Sequence, residues 1–151
     1  MSHIRIVVAD QAEAIFYDLS SLKAHPIEVA RISDPAAHLH DRDFSSDRPG
    51  RSYESFGKAR HAIEGENDPR RREAAKFAKA IATRLDQDRR KKEYEQLIVV
   101  AAAPFRSLMR TEFSTDTTAS IVHEVPKDLV HSPVEVLREH LPTTAQELKT
   151  A

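Results

Sequence analysis

Apolar positions along this chain change period several times, and each change marks an element. Residues 4–9 form an apolar, β-branched run broken only by Arg5, which suits a buried strand. Asp10-Gln11 makes a short polar turn, and residues 14–19 read as a second strand that closes an antiparallel hairpin. Residues 20–25 turn the chain again. Residues 26–32 then alternate apolar and polar with period two, as a half-buried third strand should.

After a long polar stretch, Asp68-Pro69 announces a helix, since Asp is a good N-cap and Pro suits the first helical position. On that helix Ala74, Phe77, Ala78, Ile81 and Leu85 share a face at three- and four-residue spacing, and Arg72, Lys76, Lys79 and Arg90 share the opposite one. Residues 97–102 are the strongest buried-strand signal in the chain. Pro104 opens a short helix over residues 105–113, residues 119–125 read as a last strand, and Ser132-Pro133 caps a helix over 134–140 that Pro142 ends. Three strands followed by helix, strand, helix, strand, helix predict one α/β sandwich with a mixed five-stranded sheet flanked by helices.

The bulk numbers agree with that architecture. A chain of 151 residues with 40% hydrophobic and 31% charged content suits a single soluble domain, placed here at residues 1–142 with 143–151 as a flexible tail. Cysteine is absent, which removes disulfides, thiolate nucleophiles and thiolate metal sites together. The opening residues meet charge at once and read as a first strand instead of a secretory leader, and no stretch is long and apolar enough to span a bilayer. The expected compartment is the cytoplasm.

Charge changes the picture more. The net of −1 conceals a segment, residues 48–92, that holds 14 Lys or Arg against 7 Asp or Glu. All three glycines, Gly50, Gly57 and Gly65, fall in the polar stretch 38–68, which overlaps that basic segment. Loops of that length are uncommon in compact domains unless they are functional or disordered, and glycine permits close backbone approach to a partner.

Arg48, Arg51, Lys58 and Arg60 can donate to phosphates, and Arg72, Lys76 and Lys79 extend the track along the helix. Tyr53 and Phe56 lie among these cations and either stack on unpaired bases or tuck the loop against the core. Gly50 and Ser52 sit at the loop's Pro-Gly-Arg-Ser tip, and His61 follows Arg60 where it can touch phosphate or cap the helix start. The basic stripe has a plainer reading too, as the solvated face of an amphipathic helix.

Other chemistries find less. The glycine spacing fits neither nucleotide cradle, and there is no Gly-x-Ser-x-Gly elbow. His38, His40, Asp41 and Asp43 are the densest metal-ligating cluster, but no second spaced pair of strong ligands accompanies them, so no metal or cofactor is expected. Ser45, Ser46 and Ser52 near His61 do not make a triad, which is recognised by geometry.

The runs Asp41-Arg42-Asp43, Ser46-Asp47-Arg48-Pro49-Gly50-Arg51-Ser52, Arg60-His61 and Asp68-Pro69 resemble the bacterial host-attachment protein family. So do Lys127-Asp128-Leu129 and Leu137-Arg138-Glu139-His140-Leu141-Pro142 near the other end. The order of elements is more distantly similar to the middle domain of archaeal and eukaryotic class I translation release factors. There a loop carries Gly-Gly-Gln to the peptidyl-transferase centre; here Pro49-Gly50-Arg51-Ser52 stands in that place. The resemblance implies a fold and a ribosome- or tRNA-facing surface without Gly-Gly-Gln hydrolysis.

The expectation is therefore an RNA-binding protein that meets ribosome or tRNA through Arg48, Gly50, Arg51, Ser52, Tyr53, Lys58, Arg60, His61, Arg72, Lys76 and Lys79. Two alternatives stand beside it. One is a host-cell attachment protein recognising a protein or an acidic surface. The other is a hydrolase of ester-linked tRNA that orients water with His61 or loop acids.

Overall fold

A computed structural model describes residues 3–34 and 68–148. Strands β1 (Ile4–Ala9), β2 (Glu13–Leu19) and β3 (Ile27–Ser33) form an antiparallel meander. Helix α1 (Pro69–Arg90) leads to β4 (Gln96–Val100), followed by α2 (Ala103–Glu112), α3 (Thr115–Ala119), β5 (Ile121–Val125) and α4 (Val134–His140). The sheet order is β3-β2-β1-β4-β5, with β4 parallel to β1 and β5 parallel to β4. The fold is α/β, built on one open, mixed, five-stranded sheet.

Alternation along the central strands divides the core between two layers. Val7, Phe16 and Val99 face Phe77, Ile81 and Leu85 of α1 and Phe105 and Met109 of α2. Ile6, Val8, Ile15 and Val100 face the other way, onto Val130, Leu137 and Leu141. Between the two helices, the Phe77 and Phe105 rings stack with centroids 6.3 Å apart. A central strand buried on both faces explains why residues 4–9 read as a nearly unbroken apolar run.

Both ends of α1 have a physical cause. At its start the Asp68 side chain accepts from the Arg70 amide at 3.1 Å and Pro69 occupies the first turn, as the Asp-Pro pair predicts. At its end, Lys92 adopts φ 64° while its amide donates to Arg89 O at 2.9 Å and the Glu93 amide donates to Asp88 O at 3.0 Å. This is the Schellman arrangement, with lysine where glycine is usual. On the opposite layer, Arg138 of α4 donates to the carbonyls of Ala24 (2.5 Å), Leu22 (2.7 Å) and Pro142 (3.3 Å), tying the β2–β3 turn to the end of α4.

Several expectations need correction. The last strand begins at Ile121 and not at 119, because Ser114 caps a helical turn, accepting from the Thr117 amide at 3.1 Å. Helix α2 starts at Ala103, before Pro104, and ends one residue earlier than expected. Pro133, not Ser132, holds the N-cap position of α4 and supplies no side-chain cap. Past α4, Ala145–Glu147 make a 3₁₀ turn, and the Thr143 amide donates to Glu147 Oε1 at 2.8 Å.

The third strand departs most. Ile27 and Val29 are exposed (65% and 45%), while Ala30 and Ile32 pack on the α1 layer. The register shifts between Phe16 and Tyr17, so that Phe16 pairs with Ala30 and Tyr17 with Glu28, and Val29 is the extra residue of a β-bulge. One inserted residue breaks the period-two alternation that predicted a half-buried strand.

Candidate functional site

Because β1, β4 and β5 run parallel, they deliver the chain to the same edge of the sheet, and open α/β sheets bind ligands at that carboxyl edge. Asp10 follows β1, Ala102 follows β4, and Asp128 lies three residues beyond β5. The Asp34 amide, just past β3, donates to Ala12 O at 2.8 Å in the β1–β2 turn, so β3 ends on this edge too. Helix α1 begins there with Asp68. A crevice of about 440 Å³ lies at this edge, with Asp10, Asp68, Asp128, Arg70 and Arg71 among its walls and Ala74, Phe105 and Leu108 supplying apolar surface.

Asp10, Asp68 and Asp128 of the crevice each have a local task. Asp10 Oδ1 accepts from the amides of Ala12 and Glu13, both at 2.8 Å, which shapes the turn, and its Oδ2 lies 3.8 Å from His131 Nε2. Asp68 caps α1, and Asp128 Oδ1 accepts from the Val130 amide at 3.4 Å. Among the described residues no group of three His, Asp or Glu side chains could hold a metal ion. Arg70 and Arg71 add positive charge beside the first turn of α1, where the helix dipole is also positive.

Exposed cations continue from there. Arg71, Arg72, Lys76 and Lys79 are all exposed along the first three turns of α1. Lys76 also borders a groove of about 610 Å³ between β3 and α1, floored by Ile32, Phe77 and Ala80 and flanked by Glu73 and Arg84. Ion pairs also run along the second half of the helix. Arg84 Nε binds Asp88 at 2.9 Å, Arg89 Nη2 binds Asp86 at 2.6 Å and Arg90 Nε binds Asp86 at 3.0 Å. Arg90, grouped by periodicity with the basic stripe, is thus engaged by an acid one turn back. Asp86 sits below the ordinary carboxylate range, chiefly because Arg89 donates to it.

Of the residues expected to bind RNA, Arg72, Lys76 and Lys79 lie together on one exposed face of α1. Arg48, Gly50, Arg51, Ser52, Tyr53, Lys58, Arg60 and His61 lie outside the described residues, as does the cluster His38, His40, Asp41 and Asp43. Periodicity missed Arg70 and Arg71, which follow the Asp-Pro helix start directly, and it missed Asp10 and Asp128. The available signal was positional: a polar residue just past an apolar strand marks a sheet edge, but only parallel pairing brings three such edges together.

Among the described residues no helix is long and apolar enough to cross a membrane. No curated protein matches the chain. The likeness to release factors finds no support beyond the order of elements. A family model described as "Protein required for attachment to host cells" matches residues 5–141, from the second residue of β1 to the C-cap of α4. Arg138 and Asp128, two residues of the motifs that resemble this family, have structural tasks within that span. With nearly the whole chain matched, the protein belongs to the family of proteins required for attachment to host cells.

Proposed function

We propose that the protein is a cytoplasmic binding protein that meets an anionic macromolecule, structured RNA of the ribosome or tRNA, through the carboxyl edge of the sheet and the basic start of α1. The observation that carries this reading is the row of exposed cations Arg71, Arg72, Lys76 and Lys79 leading away from a crevice that also holds Arg70. Phosphate contacts supply most non-specific nucleic-acid affinity, and a helix start adds its own positive potential. Residues 48–61 enter this proposal only through their basic composition. Binding needs no catalytic group.

Family membership favours a second reading, in which the same basic surface recognises a protein or an acidic surface in the course of host attachment. One experiment separates the two. Purified protein is sedimented with ribosomes, and titrated with tRNA, at low and at physiological salt. The first reading expects binding that weakens with salt, the slope falling by about 0.7–0.9 for each cation removed in Arg71→Ala, Lys76→Ala or Lys79→Ala. Failure to bind either RNA at low salt, together with binding to host-cell surfaces by the wild type and not by the triple variant, would overturn it in favour of the second.

A further inference from the structure

Among the described residues β3 is an edge strand whose one neighbour is β2, and it presents the two most exposed large apolar side chains, Ile27 and Val29. Its hydrogen-bond ladder with β2 runs through the Asp34 amide, which donates to Ala12 O at 2.8 Å. In an antiparallel ladder the bonded pairs alternate, so the backbone groups of Ser33 and Arg31 are directed away from β2. Edges of this kind are templates for another strand, and charged side chains ordinarily block them.

Here the charges complement themselves. Glu28 and Arg31 stand symmetrically about the Val29–Ala30 bond. Antiparallel pairing of two β3 strands about a twofold axis through that bond sets Glu28 opposite the second copy's Arg31, twice, and Ile27 opposite Ile32, twice. Shifting the centre to Val29 or Ala30 leaves neither charge opposite its complement, and parallel in-register pairing sets Glu28 against Glu28. The bulge adds to the match. Residues three apart normally point to opposite faces of a strand, yet Arg31 Nη2 lies 3.1 Å from Glu28 Oε1, so the extra residue brings both to one face. In the pair, all four charges would lie on that face.

We propose that β3 is a self-association edge, through which two copies of this chain join their sheets in antiparallel register centred on the Val29–Ala30 bond. The occupant is a second copy because the charge pattern is its own complement, and such an isologous contact closes at two subunits. The inference is independent of any RNA or host-surface reading.

Sedimentation velocity on the full chain over a range of concentrations is the test, with circular dichroism confirming that each variant keeps its fold. Wild type is expected to show a reversible monomer–dimer equilibrium. Glu28→Arg and Arg31→Glu should each weaken self-association by about tenfold or more, since two cross-strand attractions become repulsions. Mixed together, those two variants should pair with one another, because the arginine introduced into one then faces the glutamate introduced into the other. Should Arg31→Glu fail to fold, Val29→Lys, at an exposed position, gives the same expected loss. A wild type that stays monomeric throughout, or a dimer whose affinity neither Glu28→Arg nor Val29→Lys changes, would overturn the proposal.

Discussion

Arg5 Nη1 and Asp88 Oδ2 lie 2.6 Å apart, with side chains only 2% and 5% exposed, joining the first strand to the last turn of α1. The guanidinium also donates through Nε to Asp18 at 2.7 Å and lies 5.4 Å from the centre of the Tyr94 ring. Asp88 in turn receives Arg84. A buried ion pair adds little beyond well-packed apolar residues, but removing one partner leaves an uncompensated charge in the interior. Arg5→Met should therefore destabilise the protein by about 3–5 kcal/mol, and Arg5→Met with Asp88→Leu should recover part of that loss. Urea melts of the two variants would decide it; equal stability of Arg5→Met and wild type would show that Asp88 is satisfied without Arg5.

The two faces of α1 should separate stability from binding. Phe77 and Ile81 are buried in the layer beneath the helix, so replacing either by Ala should cost about 2–5 kcal/mol. Lys76→Ala and Lys79→Ala, on the exposed face, should stay within about 0.5 kcal/mol of wild type. The same denaturant melts measure both sets.

Lys92 holds a left-handed conformation that costs a residue with a Cβ roughly 1–2 kcal/mol. Lys92→Gly removes that strain while loosening the unfolded chain, and the balance should raise stability by about 0.5–1 kcal/mol. Thermal melts check this. A lower melting temperature would mean that the lysine makes a compensating contact.

Tyr94 is buried, its hydroxyl donates to Leu85 O at 2.8 Å, and burial pushes its phenol up to about 12. The folded state thus holds the proton more tightly than the unfolded state, whose phenol titrates near 10. The resulting stability is complete below pH about 10 and declines as pH rises from there through about 12. Tyr94→Phe should cost about 1 kcal/mol at neutral pH, for the lost hydrogen bond, and flatten the alkaline loss of stability. Denaturant melts at neutral and alkaline pH would measure the difference.

Local period and punctuation determined much about this protein by themselves. The order of strands and helices apart from the short α3, the start of α1 at Asp68-Pro69 and its buried face through Phe77, Ile81 and Leu85 follow from neighbours within a few positions of one another. So do the short motifs that resemble the family whose model matches residues 5–141. What tertiary structure alone decided depends on partners far apart in sequence. Parallel pairing of β1 with β4 and of β4 with β5 gathers Asp10, Ala102 and Asp128 at one edge. Arg5, a single charge in an apolar run, is buried because Asp18 and Asp88 come from 13 and 83 residues away. The bulge at Val29 arises against β2 and breaks the alternation that made the strand read as half-buried, while the sheet order leaves β3 at the edge of the described strands. Local sequence sets what each segment prefers, and long-range pairing sets what each side chain meets.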